Sequence, residues 1–193
     1  VAFPAGNVRI SNNGNAHSFG PGLHSTTGTA WTNAAIPAGA GHAGAFGLTP
    51  VGVMMPWWDD LFPVAGGSSG IWWQESGNTL TIQWHDQDAF GAVSTGTVRF
   101  QMKLFNTGSN GATLAQFIYD DAEFAVGSTQ NNGGSGTIGY STASPAGAGL
   151  NNAQWSFNTQ SIQTGSVLTI IPAPGALALL GLGGLVAGRR NRR

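Results

Sequence analysis

Residues 79–85 read Thr-Leu-Thr-Ile-Gln-Trp-His, with Leu80, Ile82 and Trp84 at every second place and threonine or glutamine between them. Only an extended strand puts residues i, i+2 and i+4 on one face, so this run fits a half-buried β-strand and excludes a helix. Residues 97–104 repeat the pattern. Val98, Phe100, Met102 and Leu104 face one way, and Thr97, Arg99, Gln101 and Lys103 the other, which places two cations on one polar sheet face. Further strands are predicted over residues 52–55, 70–75, 114–119, 137–140, 154–157 and 166–171, divided by Gly/Asn/Ser clusters that act as turns. Ser76, Gly77 and Asn78 are expected to close a hairpin. Many short strands with no helical period between them indicate an all-β fold, an antiparallel β-sandwich or barrel-like domain. The first fifty residues are less readable, with 12–15, Pro21-Gly22 and 39–47 reading as loops around a few short strands. Residues 130–136 (QNNGGSG) read as a flexible surface loop, and 144–152 as another.

Charged residues make up 8% of the 193 residues, where roughly 25% is usual, and 31 residues are glycine. Four of the seven cations are the terminal Arg189, Arg190, Arg192 and Arg193. Upstream of them only Arg9, Arg99 and Lys103 stand against eight carboxylates, so that part carries a net charge of about −5. Such a surface repels nucleic acids and other polyanions. With no cysteine there is neither a disulfide nor a thiolate metal site, and the apolar core must hold the fold alone.

Period 3.6 appears only at the C-terminal end. Pro172, Ala173 and Pro174 precede an uncharged run, 175–188 (GALALLGLGGLVAG), which the arginines close. Gly175, Leu177, Leu179, Leu180, Leu182, Leu185 and Val186 suit a short hydrophobic helix in a bilayer, with the arginines as a cytoplasmic stop. These fourteen residues reach about 21 Å as a helix, short of the roughly 30 Å hydrocarbon core, so the anchor is marginal and suited to temporary use. This order of parts resembles the PEP-CTERM sorting signal, with Ala173 where that motif usually has Glu. The resemblance implies export in a Gram-negative bacterium, transient anchoring in the inner membrane, processing by an exosortase-type membrane peptidase, and a final place at the cell surface or outside, often beside exopolysaccharide in biofilm. An ordinary uncut anchor is the alternative. The chain starts at Val1 without a charged, apolar leader and is expected to be a mature or trimmed form of an exported precursor. The expected division is a secreted β-domain over 1–171 and a sorting tail over 172–193.

A second resemblance lies upstream. Pro56-Trp57-Trp58-Asp59-Asp60-Leu61, Ser69-Gly70-Ile71-Trp72-Trp73, Thr81-Ile82-Gln83-Trp84-His85, the strand from Val98 through Phe100-Gln101 to Phe105, Phe117-Ile118-Tyr119 and Gly136-Thr137-Ile138-Gly139 follow one another in an order similar to bacterial relatives of the nidogen-type extracellular domain. The likeness covers about residues 51–140, with an extension to about 170. Arg99 stands where that family usually has a small polar residue. The resemblance implies a secreted domain with an adhesive or matrix role.

Five of the seven tryptophans lie between Trp57 and Trp84. Exposed indoles stack on sugar rings, so Trp57, Trp58, Trp72 and Trp73 are candidate glycan-binding residues. The competing reading is core packing, which suits Trp84 in phase with Leu80 and Ile82. Adjacent pairs must split across the two faces of a strand, leaving one of each pair available to face solvent. Asp59-Asp60, Asp86 with Asp88, and Asp120-Asp121 with Glu123 form acidic sets. Asp59, Asp60, Asp86 and Asp88 on strand ends are candidate calcium ligands, although 86–88 lacks the EF-hand continuation. Solvated loops or turn caps are the alternative for these carboxylates.

Residues 66–70 (GGSSG) fit the nucleophile-elbow pattern and 134–139 (GSGTIG) the dinucleotide pattern. Both require a preceding strand and a following helix, which neither has, and a glycine-rich chain produces such matches by chance. His17, His24, His42 and His85 show no metal-ligand spacing, and no nucleophile stands beside an evident base. The expectation is a non-catalytic, exported surface or extracellular-matrix component without a required cofactor and without nucleic-acid partners. Its alternative is a carbohydrate-binding module, with or without calcium.

Overall fold

The strands that alternation predicts are present in the computed structural model, which describes residues 8–18, 32–36, 52–65, 67–91, 96–106, 113–142 and 151–170. In chain order they are β1 (Val8–Ser11), β2 (Asn15–Ser18), β3 (Gly52–Trp58), β4 (Leu61–Pro63), β5 (Gly70–Ser76), β6 (Thr79–Ala89), β7 (Val98–Asn106), β8 (Thr113–Asp121), β9 (Thr137–Thr142), β10 (Asn151–Phe157) and β11 (Val167–Ile170). All pairings are antiparallel. One sheet has the order β1-β2-β3-β9-β10. The other runs β11-β8-β7-β6, with β4 and β5 sharing the far side of β6. Among the described residues no strand of one sheet pairs with the other, and side chains of both sheets share one core, so the architecture is a sandwich.

The core between the sheets follows from the alternation. Leu80, Ile82 and Trp84 of β6 and Phe100, Met102 and Leu104 of β7 meet Ala16, Met54, Trp57 and Ile138 from the opposite sheet. Trp57 stacks on Phe100 with ring centroids 5.8 Å apart, and Phe100 stacks on Trp84 at 5.1 Å. Two buried donors tie the sheets together: Tyr119 Oη donates to Pro56 O at 2.7 Å, and Trp84 Nε1 to Ser11 O at 2.7 Å. Large aromatics thus supply both apolar area and directed polar contacts in a chain that has no disulfide.

β6 continues past the predicted end at His85 because a bulge lies there. Asp86 has φ +52°, and the β6–β7 register shifts between Trp84 and Gln87. One inserted residue reverses the facing of everything after it, so the buried set passes from 80, 82 and 84 to Gln87 and Ala89. Before the bulge β5 pairs with β6; after it β4 takes the same side, with Leu61 opposite Ala89. The expected hairpin forms at Gly77-Asn78 between the paired Ser76 and Thr79, with Gly77 at φ +55°.

Residues 130–136 are not the flexible surface loop that their composition suggests. Asn131 opens a short 3₁₀ turn, Asn131–Gly133, and is buried. Its Oδ1 accepts from Phe124 N at 2.8 Å and its Nδ2 donates to Ala125 O at 2.6 Å, so an internal amide replaces water for the backbone around it. The 12–15 turn is likewise packed, with Asn13 and Asn15 buried and Gly14 O accepting from Trp57 N at 3.2 Å. β1, β2 and β4 are short and lack a long alternating run, so no period marks them in the sequence. Of the expected loop at 144–152, residues 151–152 belong to β10; the remainder lies outside the described residues.

Among the described residues no helix is long and apolar enough to cross a membrane. Pro172, Ala173, Pro174, the 175–188 run and the terminal arginines lie outside them, as do His24 and His42.

Candidate functional site

The two tryptophan pairs have opposite fates. Trp57 and Trp58 are both fully buried, which removes them as surface glycan platforms. They do split across β3, but both faces are covered. Trp57 enters the inter-sheet core, while Trp58 packs with Val53, Met55 and Ile36 on the outer side. Residues 32–36 strap that side: Thr137 Oγ1 donates to Ala34 O at 2.9 Å and Asn33 Nδ2 to Ser135 O at 2.6 Å. On β5, Trp72 is 58% exposed and Trp73 65% exposed. Among the described residues β5 pairs with β6 alone, so it is an edge strand reaching beyond the cover of the other sheet. Trp155 on β10 is a further exposed indole, outside the candidate set that the sequence suggests.

Strand register places Trp72 on the outer face of the six-stranded sheet. Directly paired residues share a face, and one row runs Trp72, Gln83, Gln101, Ile118, Val167 across β5, β6, β7, β8 and β11. The neighbouring row runs Gln74, Thr81, Lys103, Gln116, Thr169. Gln83, Gln101, Lys103 and Gln116 are partly exposed, and Gln74 and Thr169 are exposed. Two of these amides have side-chain partners on the same face: Gln101 Nε2 donates to Asp120 Oδ2 at 3.1 Å, and Gln83 Nε2 lies 3.2 Å from His85 Nδ1. The indole of Trp72 leans over Gly70, where an added Cβ would lie 3.7 Å from its Nε1. The signal for this face is present in the sequence as the polar half of each alternating strand, but the lateral order of strands is not.

The acidic sets hold loops. Asp59 Oδ1 accepts from Asp60 N at 2.9 Å, and its Oδ2 accepts from the Ser135 hydroxyl. Burial raises the Asp59 carboxyl above the usual carboxylate range against these hydrogen bonds, and desolvation raises Asp60 as well. Asp86 Oδ1 accepts from Arg99 Nη2 at 2.8 Å, and His85 Nε2 lies 3.3 Å from Asp86 Oδ2. The Arg99 hydrogen bond lowers the Asp86 carboxyl, and Asp86 in turn raises Arg99. Asp88 Oδ1 accepts from Ala89 N at 2.7 Å. Among the described residues no group of three or more His, Asp or Glu side chains gathers as a metal site. The four candidate calcium ligands are therefore split between the 59–60 turn and the β6 bulge, where Ser135 engages Asp59, Arg99 engages Asp86 and the Ala89 amide engages Asp88. Ser69 of the GGSSG stretch donates to Asp86 O at 2.7 Å and accepts from Val64 N at 2.9 Å, fastening the loop before β5.

Between β10 and β11 the sandwich opens into a groove of about 490 Å³, lined by Phe117, Ile138, Tyr140, Trp155, Leu168 and Ile170 among others. Its walls offer apolar contact and no paired acid and base.

No protein-family model, characterised protein or solved structure matches the chain.

Proposed function

We propose that this protein is an exported, non-catalytic component of the cell surface or extracellular matrix, delivered through its C-terminal sorting tail and processed by an exosortase-type peptidase. The observation carrying this reading is the order Pro172-Ala173-Pro174, apolar 175–188 and terminal arginines. Two features of the domain support it. A sandwich with 3 cations against 8 carboxylates upstream of the tail suits an exterior without nucleic-acid partners. Its carboxylates at positions 59 and 86 serve to fasten turns, which is a scaffolding use. The tail anchors the precursor in the inner membrane until cleavage frees the domain. The test follows the tail in exosortase-positive and exosortase-deficient cells. An uncut protein held in the membrane fraction of the deficient strain is the expected result, and unchanged release would overturn the sorting reading.

A second reading, carbohydrate binding, is favoured by the exposure of Trp72 and Trp73 on an edge strand. Quenching of tryptophan fluorescence across a glycan panel tests it, and silence toward every glycan would remove it.

A further inference from the structure

We infer that the outer face of the six-stranded sheet is a binding platform for an extended, uncharged polysaccharide, with Trp72 as its stacking end and the Gln83–Gln101 row as its hydrogen-bonding track. The inference rests on the carbohydrate reading above and gives it a location, an axis and a ligand class.

Three observations converge on this face. The first is the large exposed indole of Trp72 on the edge strand β5. An indole face is apolar and electron-rich, so it stacks on the C–H face of a pyranose ring. The second is the amide ladder. Trp72, Gln83 and Gln101 occupy successive strands of one row, and Gln74, Thr81, Lys103 and Gln116 lie in the next. A primary amide both donates and accepts, which suits vicinal sugar hydroxyls that do the same. From Trp72 to Val167 the row crosses four strand intervals of about 4.8 Å, so it measures about 19 Å and accommodates about four sugar units in an extended chain. One protein side chain then meets the ligand at each interval.

The third observation is charge. This face carries two cations, Lys103 in the second row and Arg99, which is engaged by Asp86, while Asp120 accepts from Gln101. The domain as a whole repels polyanions, since carboxylates outnumber cations upstream of the tail. A neutral polymer meets neither penalty, whereas a uronate-rich one does.

Trp73 provides the internal control. It pairs with Ile82, so it projects to the opposite face of β5 from Trp72, although it is more exposed. A ligand laid across the amide ladder touches Trp72 and not Trp73.

The test uses the full chain with cellohexaose, xylohexaose and mannohexaose as neutral probes and alginate as the anionic one, read by calorimetry and by tryptophan fluorescence. At least one neutral hexasaccharide is expected to bind, with affinity falling at least about tenfold in Trp72→Ala and Gln101→Ala, and staying within about twofold in Trp73→Ala. Partial recovery in Trp72→Phe is expected, and near-ultraviolet circular dichroism reports whether each variant retains its core. Binding that survives Trp72→Ala and Gln101→Ala would overturn this site while leaving the carbohydrate reading in place. Binding of none of the four probes would overturn both, and binding of alginate alone would overturn the ligand class while leaving the carbohydrate reading in place. Export and tail cleavage do not enter the measurement, so none of these three failures bears on the sorting reading.

Discussion

Arg99 Nη2 donates to Asp86 Oδ1 at 2.8 Å and thereby clamps the one β6 residue that turns through positive φ. The clamp sits where β5 ends its pairing and β4 begins, so it stabilises the change of partner strand. Both side chains are partly exposed, and a pair of this kind contributes about 0.5–1 kcal/mol. Arg99→Met is expected to lower stability by that amount at pH 7. The folded-state carboxyl of Asp86 lies below its ordinary value, so its contribution is complete above the unfolded pKa and is lost as pH falls through the folded one. Urea unfolding of both proteins from pH 7 to pH 2 should show the two curves converging below about pH 4.

Asp59 has the opposite sign. Burial raises its carboxyl, so the folded state holds the proton more tightly, and stability falls as pH rises from the unfolded pKa through the folded one. Asp59→Asn keeps an acceptor for Ser135 without the charge. The variant is expected to melt at or above the parent temperature at pH 7, with the difference vanishing below about pH 4. A large loss of stability at pH 7 would show that the ionised carboxylate, not its shape, holds Ser135.

Gly14 and Gly77 both have positive φ, +66° and +55°, yet their surroundings differ. An added Cβ at Gly14 would lie 1.7 Å from Trp57 O, whereas at Gly77 nothing is within 4 Å. Gly77→Ala should cost about 1 kcal/mol, the conformational cost alone. Gly14→Ala must also displace β3 from the β1–β2 turn and should cost about 3 kcal/mol or more in chemical denaturation.

Asn131 fills the space under the 124–136 segment and satisfies Phe124 N and Ala125 O. Asn131→Ala leaves the buried Phe124 amide without its partner, while Ala125 O keeps Ser128 N at 3.1 Å, and a loss of about 2 kcal/mol is expected. Hydrogen exchange at Phe124 and Ala125 should accelerate in the variant well before the β6 and β7 amides are affected.

The legible part of this fold is the part with local periodicity. β6 and β7 declare their buried faces, because side chains of a strand alternate regardless of what the strand pairs with. β1, β2 and β4, at three or four residues each, are too short for a period to show. The bulge at Asp86 is invisible for a related reason: it inserts one residue into a pattern that otherwise continues. Over 130–136 composition misleads, since it registers polarity but not which amide is turned inward toward a backbone that lacks water.

The tryptophan pairs mark the boundary between what sequence alone determined and what tertiary structure decided. Alternation required Trp57 and Trp58 to point opposite ways, and Trp72 and Trp73 likewise. It could not determine whether either direction ends in protein. β3 lies between β2 and β9, with one face against the opposite sheet and the other under residues 32–36, so both of its indoles are buried. Among the described residues β5 hangs on β6 alone, so both of its indoles meet solvent. The facing of a side chain is set by its own backbone dihedrals, whereas its burial is set by segments remote in sequence that fold over it.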